Sequence, residues 1–501
     1  MTTSAKSGGA GSGVGGAGED GVPGRWQALV VTQLAGFMSL LDVSIVNVAM
    51  PSIQRGLGTS PATVQWVVSG YALTFGLALV PAGRLGDMLG RRRMFLIALS
   101  AFVITSAMTG AAPTAGLLIA ARLLQGVAAG MLAPQNSGLI QELFRGDERG
   151  KAFGVLGATI GLSTAVGPVV GGLILDTFTG PDGWRWIFYV NVPIGLVALV
   201  LAVRLVPVTG HRPARRARLD LVGTLLLGGG VLAMLLPVVQ GEGGGFARLW
   251  WLFAVGAVLL AAFAWWEVRL VRRGGEPLLA PGLLRIRGYA AGVCIGLVYF
   301  LAYTGIWLVL ALYLQNGLGY SPLRSGLAVT PFALGAAVSS AVAGRLVSGL
   351  GRRLTVIGLT TAAVGLAATA VVLSRSGTDA AAWAAAAPLF LAGVGGGMVT
   401  SPNITLTLES VPVTMAGAAG GALQTAQRIG SALGTAALAA VYFAQLSRTH
   451  DDQVAVETAL LGAAGFMVLA LLLATAELVT RSRDGRRACP PSRPEHLAHH
   501  G

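Results

Sequence analysis
The sequence is short of charge. Asp, Glu, Lys and Arg make up 11% of its 501 residues, against about 25% in an average soluble domain. So few ionisable groups cannot solvate the surface of a chain this long, which excludes an ordinary soluble enzyme. Disorder is excluded by the hydrophobic fraction of 54%, far above what chains without a core contain. Cysteine is equally scarce. Cys294 lies in an apolar run and Cys489 near the C-terminus, so neither a disulfide framework nor a metal site is indicated. His211, His450, His496, His499 and His500 fall in loops or the tail, which argues against an embedded enzyme site. No metal and no cofactor is expected. A Gly-rich Lys loop of the Walker type is missing, so ATP hydrolysis has no support. The Gly-rich stretch 11–18 has no strand before it and no helix after it, as a dinucleotide site requires.

What remains is a polytopic membrane protein. A bilayer core takes roughly 20 apolar residues per helix. Fourteen such runs lie at about 26–50, 62–83, 94–112, 115–137, 152–175, 185–205, 220–240, 249–268, 288–314, 322–344, 354–374, 383–403, 416–443 and 457–480. The first run is full length, so no cleavable leader is expected. The net charge of +14 does not point to nucleic acid, because the arginines sit in bursts between apolar runs. With both termini cytoplasmic, the external loops hold six basic residues (Arg55, Arg185, Arg248, Arg324, Arg375 and Arg448), while 27 of the 35 fall on the cytoplasmic side. The positive-inside rule fixes that orientation.

The chain also repeats itself. Gly83–Arg92 (GRLGDMLGRR) follows the second run and Gly344–Arg353 (GRLVSGLGRR) the tenth, with seven of ten positions identical. In both, glycine permits a tight turn and arginine meets anionic lipid and helix C-termini. The repeat spacing of eight runs implies two homologous six-helix bundles with an extra helical pair between them, an arrangement of secondary transporters. The expected organisation is a flexible tail at 1–24, an N-terminal bundle at 25–206, linkers and two inserted helices at 207–287, a C-terminal bundle at 288–480 and a basic tail at 481–501.

These motifs resemble the major facilitator superfamily, and within it the fourteen-span drug:proton antiporter branch of the EmrB/QacA type. Gly83–Arg92 looks like its loop motif, and Leu41–Pro51 (LDVSIVNVAMP) like its first-span signature. Arg122–Gly126 (RLLQG) resembles its fourth-span motif, and Gly167–Gly172 (GPVVGG) its fifth-span antiporter motif. Trp184–Gly195 (WRWIFYVNVPIG) is similar to the start of its sixth span. The resemblance covers residues 26–480. It implies an all-α fold of two six-helix major-facilitator bundles plus two central helices, making 14 transmembrane helices with both termini cytoplasmic.

Asp42 is the one carboxylate deep within a run. By helix rise it lies about 12 Å from the outer end of its span, and Arg122 lies roughly 10 Å deep in its own. Charge at such depth is costly and marks function. The two are expected to face one cavity and to interact, directly or through water. Burial favours the neutral form of a carboxylic acid and an adjacent guanidinium the charged form, so changing their separation or hydration changes proton affinity. A cationic drug would compete for the same carboxylate. The rival reading is a permanent structural ion pair. The resemblance implies proton coupling through Asp42 and Arg122. Asp220, Glu267, Glu457 and Glu477 lie near span ends, where water is expected to reach them. Arg428, about 18 Å into the thirteenth run, either meets an anionic substrate group or ties helices together through backbone carbonyls. The tenth run has no carboxylate, which disfavours dicationic substrates.

Gly167, Pro168, Gly171 and Gly172 place a helix breaker among small residues, so this span can bend and pack closely. The resemblance implies a role in preventing leak. Asp87 is placed to cap the next helix or to pair with Arg91. For Gly83, Asp87, Gly90, Arg91 and Arg92 the resemblance implies a cytoplasmic latch, asymmetric because the second copy carries Ser348. Candidate lining residues of a midplane substrate cavity are Gln33, Gln65, Trp66, Tyr71, Gln125, Thr159, Ser163, Tyr299, Tyr303, Trp307, Asn403, Gln424 and Arg428, since aromatic and amide groups suit flat amphipathic ligands.

The resulting expectation is a proton-driven exporter of amphipathic small molecules, antibiotics or other toxic compounds. Its partners are the substrate, protons and the lipid bilayer. It would be a monomer in a bacterial plasma membrane, without nucleic acid and not an enzyme. The alternatives are a proton-coupled importer of a small solute and a non-transporting membrane sensor.

Overall fold
The computed structural model describes residues 24–208, 220–239, 248–275, 277–377, 380–409 and 411–488. The two tail assignments therefore fall largely outside the described residues, as do His211, Cys489 and the last three histidines. The described part is helical: α1 (Arg25–Leu57), α2 (Pro61–Leu89), α3 (Arg91–Ala111), α4 (Ala115–Leu143), α5 (Gly146–Thr177), α6 (Asn191–Leu205), α7 (Leu221–Val239), α8 (Trp251–Arg272), α9 (Arg287–Leu312), α10 (Pro322–Leu350), α11 (Arg352–Leu373), α12 (Ala381–Glu409), α13 (Ala416–Thr449) and α14 (Asp452–Ala488). Among the described residues, twelve helical segments are long and apolar enough to cross a membrane, and bent α5 brings the number to thirteen.

Local chemistry sets the ends. Ser60, Thr114 and Ser321 each accept a backbone N–H in the first turn of α2, α4 and α10, and Pro61 and Pro322 occupy first-turn positions whose N–H has no helical partner. The apolar runs understate the helices. α2, α4 and α14 continue through polar residues past the ends of their runs, because a helix need not stop where its lipid contact does. The sixth run is the exception. It divides into a turn at Gly183–Arg185, a short helix Trp186–Tyr189 and α6. Pro193 has no N–H to offer the Tyr189 carbonyl, so the ladder breaks there. Both GRL repeats turn as expected. α2 meets α3 at Gly90 (φ 92°), and α10 meets α11 at Gly351 (φ 53°), backbone that favours glycine.

The packing has an internal two-fold pattern. α1 lies on α5 and α6, α2 on α4, and α3 on α4 and α6; correspondingly α9 lies on α13 and α14, α10 on α12, and α11 on α12 and α14. Four helix pairings cross between the repeats: α5 on α10 and on α12, and α13 on α2 and on α4. α7 and α8 pack on each other, and α7 rests against α2 and α13.

Glycine permits the closest approaches. A methyl group on Gly434 of α13 would overlap the Leu301 carbonyl of α9, whereas one on Gly465 of α14 would meet nothing within 4 Å. Gly434→Val is therefore expected to cost about 1–3 kcal/mol through overpacking, read as a fall in the thermal unfolding midpoint in detergent. Gly465→Val should leave that midpoint within error. Equal effects would show that this contact is not a tight one.

Candidate functional site
Asp42 and Arg122 meet directly. Both side chains are fully buried, and Arg122 Nη1 lies 2.5 Å from Asp42 Oδ2. The other carboxylate oxygen accepts from Asn191 Nδ2 at 2.8 Å and from Gln125 Nε2 at 3.2 Å. The guanidinium also donates to the Val67 carbonyl (2.9 Å) and to Gln125 Oε1 (3.0 Å). Arg122 and Gln125 stand three residues apart on α4 and share a face. Ser106 and Thr109 of α3 complete the cluster. Ser106 Oγ lies 3.1 Å from Asn191 Nδ2, and Thr109 donates to Gln125 Oε1 at 3.3 Å. The Arg122 guanidinium lies over the Tyr71 ring at 4.2 Å, and its Nη2 has no hydrogen-bond partner among the described residues. Asn191 is the residue that sequence reasoning missed. It stands in the quoted WRWIFYVNVPIG motif, but nothing in the pattern says that its amide turns toward the first helix.

A cavity of about 440 Å³ lies between the two repeats, lined by α1, α2, α4, α5, α9, α10, α12 and α13. Asp42 and Arg122 are not on its wall. Their neighbours Leu40, Val43 and Ser44 are, so α1 presents one face to the cavity and the opposite face to the ion pair. The expectation that the pair faces the cavity, and that a cationic drug competes for Asp42, is corrected by this geometry: three protein side chains already occupy the carboxylate.

Of the cavity candidates, Thr159, Tyr303, Trp307, Gln424 and Arg428 line it. The others do not. Tyr71 and Gln125 belong to the ion-pair cluster, with Tyr71 Oη donating to the Ser39 carbonyl at 3.1 Å. Ser163 bonds back to its own helix at the Ile160 carbonyl. Tyr299 is buried with its hydroxyl on the Gly396 carbonyl. Trp66 packs in the cluster that includes Val231 and Phe263 of α7 and α8. Gln33 is buried with neither amide atom bonded among the described residues. Asn403 accepts from Arg352 Nη1 at 2.7 Å and donates to the Gly292 carbonyl. Gln65 lies outside the residues whose side chains are described.

α5 bends by 43° between Thr164 and Val169. Pro168, whose side chain is also outside the described set, supplies no N–H for the Thr164 carbonyl. Ser44 Oγ, from α1, bonds that carbonyl at 3.3 Å. A methyl on Gly167 would overlap Ser44, and one on Gly171 would touch Ile45. The GPVVGG motif thus packs on α1 within three residues of Asp42. Gly172 meets nothing within 4 Å.

The loop motif reaches across the repeats. Asp87 does not cap α3. It pairs with Arg91 at 3.1 Å and accepts the backbone N–H groups of Gly417 (3.0 Å) and Ala418 (2.9 Å), at the N-terminus of α13. That is where a carboxylate complements the helix dipole. Arg91 also donates to the carbonyls of Gly138 and Val413 and lies 3.5 Å from Glu142. Gly83 touches the Gly417 carbonyl so closely that a Cβ would overlap it; Gly344 does the same to Gly150. Arg92 donates to the Val203 carbonyl at 2.6 Å. In the second copy, Ser348 leaves Arg352 without a local acid, and Glu477 of α14 supplies one at 2.6 Å. Glu477 and Glu267 are both buried, so the expectation that water reaches them is corrected. Helix packing at these span ends covers them.

The sequence model of the Major Facilitator Superfamily matches residues 33–435 and 292–488. The chain is 36% identical over 449 residues to the "Probable actinorhodin transporter" of Streptomyces coelicolor, covering 88% of this chain and 77% of that one. It is 39% identical over 425 residues to a puromycin resistance protein of Streptomyces alboniger, covering 83% and 81%. Among solved structures, the human organic anion transporter MFSD10 superposes with a TM-score of 0.65 at 15% identity, over 90% of this chain and 100% of that one. At that identity the likeness concerns the fold alone.

Two outcomes are expected from this geometry. Arg122→Gln strands a buried carboxylate, a loss of about 3–5 kcal/mol, and adding Asp42→Asn should restore much of the thermal stability in detergent. Additive losses would mean that the pair does not interact. Asp87→Ala should free the start of α13. A cysteine at position 137, in a Cys294→Ser/Cys489→Ser background, would then label severalfold faster from the loop side, while an unchanged rate would rule out the latch.

Proposed function
The chain belongs to the major facilitator superfamily and is a multi-pass membrane transporter; from that membership we propose that it exports amphipathic small molecules, antibiotics or other toxic compounds, in exchange for protons by alternating access. Two six-helix bundles, 25–206 and 288–480, rock about the cavity between them, with α7 and α8 as the inserted pair. A count of fourteen spans is supported by bent α5 and the shorter apolar stretch Leu221–Pro237 beside the twelve long helices among the described residues. The arginine-rich ends and both termini face the cytoplasm, in a bacterial plasma membrane. Each proton entering supplies about 2.3 kcal/mol per 100 mV and roughly 1.4 kcal/mol per pH unit. The export direction is supported by relatives whose names describe resistance and export, among them the tetracenomycin C resistance and export protein of Streptomyces glaucescens.

The observation that carries the reading is the setting of Asp42. It is a fully buried carboxylate whose partners come from α4 and α6, one helix away from the cavity wall. In the proposed cycle, outward opening separates Asp42 from Arg122 and hydrates it, and the acid takes a proton. Closing of the outer side restores the guanidinium contact, which favours the carboxylate, and the proton leaves to the inside. Val43 and Ser44 put the same helix in contact with the substrate, so occupancy and protonation act on one element.

Expression in a drug-sensitive bacterial host, across anionic, neutral and cationic aromatic antibiotics, tests this reading. The wild-type chain should raise the inhibitory concentration of at least one compound severalfold. Asp42→Asn, made at normal yield, should remove that tolerance. Retained tolerance in Asp42→Asn contradicts proton coupling through this residue, and collapsed yield instead marks a structural ion pair.

A further inference from the structure
We propose that Arg428 is the receptor for an anionic group on the substrate, and that the preferred cargo is a flat aromatic compound carrying one carboxylate or ionised phenol. This rests on the export reading only in that the bound compound is taken to be the exported one.

Among the described residues, Arg428 is the one Asp, Glu, Lys or Arg on the wall of the cavity. Its guanidinium lies over the Phe75 ring, 4.5 Å from the centroid. Among the described residues it makes no hydrogen bond and pairs with no carboxylate, so it does not act as the backbone tie that the sequence also allowed. A cation held against an aromatic face keeps its edge free, and a guanidinium edge matches a carboxylate with two parallel hydrogen bonds. Leaving such a charge unpaired at this depth is costly, and an anionic ligand removes the cost. The carboxylate nearest by function, Asp42, is not available to Arg428, because Arg122, Gln125 and Asn191 already hold it.

The rest of the wall fits the remainder of such a molecule. Gln424, Gln427 and Ser431 stand four, one and three residues from Arg428 on α13 and offer amide and hydroxyl groups beside it. Tyr303 and Trp307 of neighbouring α9, whose Thr304 bonds Ser431 of α13 at 2.8 Å, line the same cavity and pack on Phe332, with ring centroids 5.6 and 5.3 Å apart. A cavity of about 440 Å³ is within the range that holds a drug-sized ligand. One guanidinium among aromatic rings on a shared wall selects for an amphipathic anion.

The test is isothermal titration of the purified full-length protein in detergent with anthracene-9-carboxylate and with anthracene-9-carboxamide, which share a ring system and differ in charge. Wild-type protein should bind the carboxylate about tenfold tighter or more, as expected for a charge-assisted contact. Arg428→Gln should erase that difference, and Arg428→Lys should keep part of it. Equal affinities in the wild type, a preference that survives Arg428→Gln, or no binding of either compound would overturn the proposal; the wild-type comparison stands even where a variant fails to fold. Loading proteoliposomes with both compounds separates this inference from the export reading. Arg428-dependent binding without uphill movement would leave the anion site standing and sink export. Uphill movement of the carboxamide with no charge preference would do the reverse.

Discussion
A single buried contact between Asp42 and Arg122 organises one half of this transporter. The carboxylate is not tolerable alone in that setting, since losing Arg122 leaves an uncompensated ion, whereas the guanidinium keeps the Val67 carbonyl, Gln125 Oε1 and the Tyr71 ring. The helices that carry and surround the pair must therefore stay in register. α1 brings the acid, α4 the guanidinium and Gln125, and α6 the Asn191 amide, while the Tyr71 ring of α2 lies under the cation. Any rearrangement that moves α1 has to change the solvation or the partners of Asp42, which in the proposed cycle links a rigid-body motion to a proton.

The same helix joins the ion pair to the rest of the machine. Its other face lines the cavity, and Ser44 bonds the carbonyl that Pro168 leaves free in α5. α5 in turn crosses to α10 of the other repeat. A second line of contacts runs from Arg122 to the Tyr71 ring, from Tyr71 to Phe75 at 6.2 Å, and from Phe75 to Arg428 on α13. At the loop end, Asp87 binds the start of that same α13. Cavity, ion pair and loop contact thus meet on α1, α2 and α13.

Much of this was legible in the sequence. Scarce charge and long apolar runs gave the class, and the repeated GRL segment with its glycines placed the turns and the internal symmetry. Asp42 and Arg122 stood out because charge is rare at that depth, and their contact follows from similar depth in neighbouring spans. Legibility ended where side-chain direction decided. A run of apolar residues in a lipid-facing, protein-packed helix has little periodicity, so nothing told that Asp42 points away from the cavity, or that Gln125 and Tyr71, unlike the other cavity candidates Gln424 and Arg428, turn toward the ion pair. Asn191 was hidden for the same reason. The partner of Arg352 was hidden by distance, because Glu477 lies more than a hundred residues away in the chain and replaces an acid that the second repeat lost at Ser348.

The most direct measurement follows protons, not survival. In proteoliposomes holding an imposed pH gradient and an internal pH dye, adding an aromatic antibiotic that scores in the growth panel should dissipate the gradient through the wild-type protein. Through Asp42→Asn, reconstituted at equal density and with the same fold by circular dichroism, it should not. Drug-evoked proton flux of undiminished rate in the Asn variant would contradict the assignment of Asp42 as the proton carrier.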